Sequence, residues 1–398
     1  MATKKIEIKI LKLSPNLRDD YDLQDEATAS NCAQCEVDSD EDDEEEITDE
    51  EFEANKQLLK AFDQFDNGQY TEAVKGFYEA ANKGNASAQM ILATCYKDGT
   101  GVDKDEVKAH KWYLCAAKQG HEDAQLMVAY SYYLGRGVAQ DYNEAFKWFS
   151  KAASQGNINA IGTLAVCYAQ GQGIKKDSTK AIELTKRAAE LGGAVQQYQL
   201  GTLYIQGSGV PKDIEEGVKW IIKSAEQGYA KAQNSLGDYY QKDDNYTEAA
   251  KWWRLAAEQG ISEAQRNLAY CYLYGTGVSK YPEETVNWLR LAAEQGDITS
   301  QHDLAVLYFN GDVIPEDNAE ALKWFSLAAE AGDGSSQNAL GYIYENGIGV
   351  ERDIDTARMW YIRVLMSDNN EEECETAREN LARFIKNGWG PVEADKDQ

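Results

Sequence analysis

A glycine returns at near-constant spacing through most of this chain, as Gly84, Gly120, Gly156, Gly192, Gly228, Gly260, Gly296 and Gly332. The step is 36 residues, save one of 32 between Gly228 and Gly260. A period of that length constrains the fold before any single residue is weighed. Each period is one supersecondary unit that cannot hide its own apolar face, so units must stack and share a core. Residues 249–277 spell the unit out. Ala249 is followed by Trp252, the pair Ala256-Ala257 and the closing Gly260. Ala264, Leu268 and Tyr272 then stand four apart, ahead of Gly275-Thr276-Gly277.

Within each period the spacing predicts two helices. In the first, a small residue, an apolar residue and Tyr recur at i, i+4 and i+8, as in Ala88/Leu92/Tyr96, Ala160/Leu164/Tyr168 and Ala232/Leu236/Tyr240. That spacing lays one narrow apolar stripe along a helix. The residue after the apolar one is always Ala or Gly (Ala93, Ala129, Ala165, Gly201, Gly237, Ala269, Ala305, Gly341), which admits a neighbouring helix at close range. The second helix should start at Asp105, Asp141, Asp177, Asp213, Asn245, Asp317 and Asp353, residue types that accept the unpaired amides of a helix start. Glu144, Glu216, Glu248 and Glu320 follow three residues on, the spacing of a capping box. Its apolar face reads Ala109/Trp112/Tyr113/Ala116/Ala117, and the Trp recurs with Gly76 and Leu184 as exceptions. The closing glycine suits the left-handed residue beyond a helix end.

Between the two helices lies Gly-x-Gly-Val/Ile, at 99–102, 135–138, 171–174, 207–210, 275–278 and 347–350; at 311–314 the second glycine is Val313. The 32-residue step comes from residues 240–245, where this loop is four residues shorter. Residues 69–73 resemble 245–249, so the first pair should turn the same way. Helices are expected over 51–65 and 70–83, and the array over 51–367. A charged terminal helix follows within 368–388, with Ala377, Leu381 and Phe384 on one face, as the end of a stack needs a polar outer surface.

Charge is uneven. The formal net charge is −28, and residues 1–55 carry 19 acidic against 5 basic side chains. From 38 to 53, twelve of sixteen residues are acidic, a block that repels itself and stays unfolded. Residues 1–50 therefore read as a disordered acidic tail, and 389–398 as a second disordered tail. Ile6, Ile8 and Ile10 alternate like a short strand, and Ser39 and Thr48 sit three residues before acids, as an acid-directed kinase requires. No basic footprint for a phosphate backbone exists, so nucleic acid is excluded as a partner. Seven cysteines, odd in number and read as not recurring at a fixed repeat position, point to reduced thiols. No apolar run reaches membrane-spanning length and the N-terminus lacks a signal core, so a cytoplasmic monomer without membrane insertion is expected.

The full pattern, Ala-x-x-x-Leu-Gly/Ala-x-x-Tyr-x-x-Gly-x-Gly-Val-x-x-Asp-x-x-x-Ala-x-x-Trp-x-x-x-Ala-Ala-x-x-Gly, resembles the Sel1-like repeat, a relative of the tetratricopeptide repeat, over roughly 52–367. The resemblance implies an all-α, right-handed α/α superhelical solenoid of about nine helix-turn-helix units with a C-terminal capping helix. It also implies the family's common role, holding partner proteins together. Departures are Leu184 for Trp, Ile161 for Gln, Val313 for Gly and the shortened unit. A branch of the family with regularly spaced cysteine pairs is linked with β-lactam binding; that cysteine pattern is missing here, so a hydrolase activity is not carried over.

Reaction chemistry finds little support. The three histidines are His110, His121 and His302, without zinc spacing. Cys32-Ala33-Gln34-Cys35 is a lone Cys-x-x-Cys with no fold behind it, and Gly99-Thr100-Gly101 lacks the third glycine of a dinucleotide fingerprint. No cofactor or catalytic residue is assigned. What remains is a surface. On the first helices, positions i+2, i+6 and i+9 or i+10 turn away from the stripe and should line a concave side. They include Tyr130, Tyr133, Tyr198, Arg266, Tyr270, Tyr274, His302, Phe309, Tyr342 and Glu345. Such residues anchor a partner protein or peptide, or else pack between adjacent units. The first functional expectation is an adaptor gripping partners on this face. The second is a regulatory subunit whose acidic tail engages a basic target.

Overall fold

The computed structural model describes residues 49–366 and 371–387, and among these it contains nineteen helices and no strand. They are α1 (Asp49–Asp66), α2 (Tyr70–Asn82), α3 (Ala86–Asp98), α4 (Glu106–Lys118), α5 (Glu122–Leu134), α6 (Tyr142–Ser154), α7 (Ile158–Gln170), α8 (Ser178–Glu190), α9 (Ala194–Gln206) and α10 (Ile214–Glu226). After these come α11 (Ala230–Lys242), α12 (Tyr246–Glu258), α13 (Ser262–Tyr274), α14 (Pro282–Glu294), α15 (Ile298–Asn310), α16 (Asn318–Glu330), α17 (Gly334–Asn346), α18 (Ile354–Met366) and α19 (Glu371–Lys386). Odd-numbered helices open a pair and even-numbered ones close it, giving nine pairs and a terminal helix. The chain is an all-α repeat solenoid. It divides into two compact units within α9, the first ending at Leu200 and taking in Ser208–Pro211, the second comprising Gly201–Gly207 and the chain from Lys212 on. The Ile6–Ile8–Ile10 pattern, the Cys32/Cys35 pair, Ser39, Thr48 and the terminal tails lie outside the described residues. Helix α1 begins at Asp49, so the end of the acidic block opens a helix rather than preceding one.

Each helix from α2 to α18 has thirteen residues, set by the caps at both ends. The expected side chains cap the even helices: Asp105, Asp141, Asp177, Asp213, Asn245 and Asp317 each accept from an amide two or three residues on. Asp353 does the same through Asp355 and Thr356. Tyr281 has no such bond, and Pro282 at the first helical position removes one unpaired donor instead. The capping box is a misreading. Glu144, Glu216, Glu248 and Glu320 turn to Lys147, Lys219, Lys251 and Lys323. The cap amide they were expected to satisfy bonds the carbonyl of the recurring Tyr instead, as in Asp141 N to Tyr132 O and Asp317 N to Tyr308 O, both 2.9 Å. The odd helices also carry caps that spacing did not reveal, at Asn85, His121, Asn157, Asp297 and Asp333.

The two classes of glycine answer different demands. The closing glycines hold φ near +90° with open space where a Cβ would stand, so only their conformation requires them. The second glycine of the inter-helix loop is required by space as well. A Cβ on Gly137, Gly173 or Gly277 would lie 2.0, 1.9 or 2.1 Å from the carbonyl oxygen of Glu106, Tyr142 or Tyr246. Each of those is the first residue of the preceding pair's even helix, so the loop sits directly on that helix start. In the two short turns, Gly68 and Asp244 occupy the same place at φ 75° and 55°. The amides of Gln69 and Asn245 each bond a carbonyl five residues back, at 2.9 Å, so the first pair turns as 240–245 does.

The core follows the stripe. Ala88, Leu92, Ala160, Leu236, Ala264 and Leu268 are fully buried, and the residue after the Trp position (Tyr113, Phe149, Trp253, Leu289, Phe325, Tyr361) fills the space between helices of a pair. The Trp itself more often flanks that core, with Lys151 and Lys223 over the rings of Trp148 and Trp220 at 4.0 Å. Small residues set the approach. A Cβ on Gly237 would meet the Trp253 ring at 2.5 Å, and one on Gly341 would meet Tyr361 at 2.4 Å. Three cysteines, Cys95, Cys167 and Cys271, do share one repeat position, just before the recurring Tyr; burial pushes the Cys95 thiol up to about 12 and Cys167 to about 11.

A buried amide bolts one pair to the next. Gln89, Gln125, Gln233, Gln265, Gln301 and Gln337 each donate to the carbonyl of an Ala eight residues earlier, at the end of the preceding even helix. Their oxygens receive the amide of a second glutamine at the end of their own pair's even helix: Gln119 on Gln89, Gln155 on Gln125, Gln259 on Gln233 and Gln295 on Gln265, at 2.7–2.8 Å. Where Ile161 replaces the first glutamine, Leu191 replaces the second, so both halves become apolar together. Where Ala331 replaces only the second, the buried Oε1 of Gln301 is left without a partner.

Replacing Ala331→Gln supplies that partner and should raise stability by about 1 kcal/mol, whereas Gln125→Leu strips partners from Gln155 and the Ala117 carbonyl and should cost about 1–3 kcal/mol. Urea titration followed by circular dichroism measures both. Asp244→Gly relieves the lone non-glycine positive φ among the described residues and should stabilise by about 1 kcal/mol in the same titration.

Candidate partner-binding face

The odd helices turn their i+2, i+6 and i+9 or i+10 positions away from the shared core. In the first unit, Tyr130 is half-buried, its hydroxyl 3.1 Å from Thr163 Oγ1 on the next odd helix and its ring edge-on to Phe149. Tyr133 donates to Gln172 Oε1 at 2.7 Å and stands edge-on to Tyr142 and Phe149. Tyr198 is half-buried on α9.

In the second unit the same positions form a polar seam. Arg266 pairs with Asp297 at 2.5 Å and Tyr270 donates to Asp303. Tyr274 tilts against Tyr270 and remains 64% exposed. His302 Nδ1 lies 2.8 Å from Ser336 Oγ and 3.2 Å from Asp333 Oδ2. Phe309 packs edge-on to Phe325. Tyr342 is 48% exposed. Glu345 is buried and takes bonds from the Tyr361 hydroxyl and the Arg383 guanidinium, holding α19 to α17 and α18. Tyr274 and Tyr342 are therefore the rings that this face presents to solvent, while most of the other side chains spend their polar atoms on the neighbouring pair.

The seam has a rule. The i+2 side chain of one odd helix reaches the capping Asp of the next, 31 residues on, as in Arg266–Asp297 and His302–Asp333. The i+6 Tyr reaches a polar residue 33 on, as in Tyr130–Thr163 and Tyr270–Asp303. Sequence reading did not single out Asp238, Asp297, Asp303 and Asp333, although that spacing was there to be found. Asp238 accepts from the indole of Trp253 at 3.0 Å and from Asn267 at 3.4 Å. Burial raises both Asp238 and Asp303 above the usual carboxylate range. Burial and the Asp303 carboxylate together push Tyr270 up. Tyrosine hydroxyls and carboxylates thus meet along this face, and most of them are engaged with the neighbouring pair.

Ser336, His302 and Asp333 are the three residue types of a nucleophilic triad, and the geometry rules that role out. A triad uses opposite nitrogens of the imidazole, one for the acid and one for the nucleophile. Here both partners meet Nδ1, and Ser336 is fully buried. His110 is a buried core ring against Tyr132, and His121 caps α5 through Nδ1. Among the described residues no group of His, Cys, Asp and Glu is arranged to hold a metal ion, and no helix is long and apolar enough to cross a membrane.

His302 makes the seam pH-sensitive. Burial alone would lower its pKa, but Asp333 outweighs burial, with Asp303 and Glu373 adding, and the result lies above 6.5. A raised folded value means the protonated ring stabilises in full below about 6.5 and loses that contribution as pH rises through the folded value. The stability difference between the wild type and His302→Gln should therefore shrink from pH 6 to pH 8; denaturant titrations at both ends measure it.

Comparison with known proteins supplies the wider setting. The Sel1 repeat family model matches residues 86–121, 122–157, 160–193, 197–229, 230–261, 262–297, 298–333 and 334–363. Among solved structures, a protective antigen of uropathogenic Escherichia coli displaying an SLR fold is 28% identical, with a TM-score of 0.52 and 88% of each chain covered. A Sel1 repeat protein from Oxalobacter formigenes is 28% identical, with a TM-score of 0.53, covering 77% of this chain and 89% of that one. An exopolysaccharide production negative regulator of Rhizobium leguminosarum bv. viciae is 42% identical over 52 residues, 13% of this chain and 20% of that protein's length.

Proposed function

The chain belongs to the Sel1 repeat family, whose members are in general protein-interaction scaffolds, and from that premise we propose a non-enzymatic adaptor that holds a partner protein or peptide on its odd-helix face. The observation carrying this reading is the exposed ring of Tyr274, leaning on Tyr270, which in turn bonds Asp303, with exposed Tyr342 on α17 of the same face. Aromatic anchors beside oriented polar groups are the composition of binding hot spots. The surrounding carboxylates favour a partner segment carrying Lys or Arg. On this reading the protein works as a cytoplasmic monomer, and the acidic block at 38–53 repels acidic competitors and tunes partner choice.

Tyr130 and Tyr270 bond the neighbouring pair, so removing them would disturb stacking as well as binding. Tyr274→Ser combined with Tyr342→Ser touches exposed rings alone. Affinity capture from native extract should lose its specific partners with this double variant while helicity and thermal midpoint stay unchanged. Undiminished capture would refute the face. Twelve acids among residues 38–53 support a second reading, a regulatory subunit acting through its N-terminal segment on a basic target. Deleting 1–48 separates the two, since it removes the second mode of capture and leaves the first.

A further inference from the structure

The even helices of the second unit carry a different surface. Leu255, Leu291 and Leu327 share one repeat position, three residues after the recurring Trp, and are 42%, 44% and 42% exposed. In the first unit that position reads Glu79, Cys115, Lys151 and Arg187, so the fold does not ask for leucine there. Lys223 precedes the row and Arg363 follows it, both exposed, so it is bounded by a cation at either end. One helical turn beyond the leucines stand Glu258, Glu294 and Glu330, all exposed and making no ion pair among the described residues. On the other flank, Lys251 and Lys323 are neutralised by Glu248 and Glu320. The surface is therefore an apolar line with an exposed acidic line on one side, repeated in register over three pairs. Arg254 and Arg290 beside it turn their guanidiniums to the Tyr272 and Tyr308 hydroxyls.

We propose that this row docks a basic amphipathic helix of another protein, laid across α12, α14 and α16. The leucines sit on three separate helices, each divided from the next by an odd helix. A partner must therefore offer apolar side chains at regular, widely spaced intervals on one face, as an amphipathic helix does at i, i+7 and i+14. Lys or Arg beside the apolar line then meets Glu258, Glu294 and Glu330, and the net charge of −28 draws such a segment in. This surface is independent of the odd-helix face, since none of its residues lies there.

The test uses the full chain and a labelled helical peptide of roughly eighteen residues, with leucine at every seventh position and flanking lysines, followed by fluorescence anisotropy. Saturable binding that weakens with added salt is expected. Leu291→Lys should weaken it by about tenfold or more, the effect of losing one buried leucine contact and adding a like charge, and Glu294→Lys should weaken it as well. Tyr274→Ser with Tyr342→Ser should leave it unchanged. Failure of the peptide to bind, equal binding by a peptide with its leucines moved out of the seven-residue register, or full binding by folded Leu291→Lys would each overturn the proposal. Loss of binding in the tyrosine variant would also do so, by moving the peptide to the odd-helix face.

Discussion

A thirteen-residue helix is too short to persist alone in water, because the cost of starting it is barely recovered over three turns. Every helix in the repeat region therefore depends on the apolar surface it shares with the helix before and the helix after. That sharing requires backbones to come close, and the small residues on the odd helices permit it. Gly237 beneath Trp253 and Gly341 beneath Tyr361 show the limit, since neither place has room for one more carbon. The caps, the left-handed closing glycines and the tight seat of each loop on the preceding helix all serve to stop and turn the chain so that these contacts can form.

Apolar sharing alone would allow one pair to slide along the next. The polar contacts fix the register. The buried glutamines join the end of one even helix to the end of the next, and an orphaned buried amide would be costly enough to penalise a slipped arrangement. On the opposite side, Arg266–Asp297, Tyr270–Asp303 and His302–Asp333 repeat the constraint between odd helices. These side chains had looked like an open binding surface, and most of them hold neighbouring pairs together. The groups the stack does not consume are Tyr274, Tyr342 and the remaining capacity of the carboxylates.

How much of this was legible follows from where the information sits. The even-helix caps, the closing glycines and the shared turn of 66–70 and 242–246 are local, and reading the residues in order finds them. The capping box failed because the acceptor for the cap amide is a carbonyl on another helix, which no local motif records. Face assignment for the ten surface residues needed only helical geometry. The partners of Tyr130, Arg266, Tyr270 and His302 lie 31 or 33 residues away, at the next odd helix, and become visible only when each unit is compared with its successor. Glu345 was misjudged for a similar reason, since its partner Arg383 belongs to the terminal helix, outside the repeat pattern.

The glutamine bolt has a consequence for how such a chain can change length. Each unit holds the amide that plugs into the unit behind it and the carbonyl that serves as a socket for the unit ahead. A segment of 36 residues copied whole, or lost whole, thus carries a complete joint with it, and the junction it creates is one the chain already knows how to make. Growth by tandem duplication then needs no newly invented interface, and drift within one copy, as at Ile161 with Leu191, remains confined to a single joint.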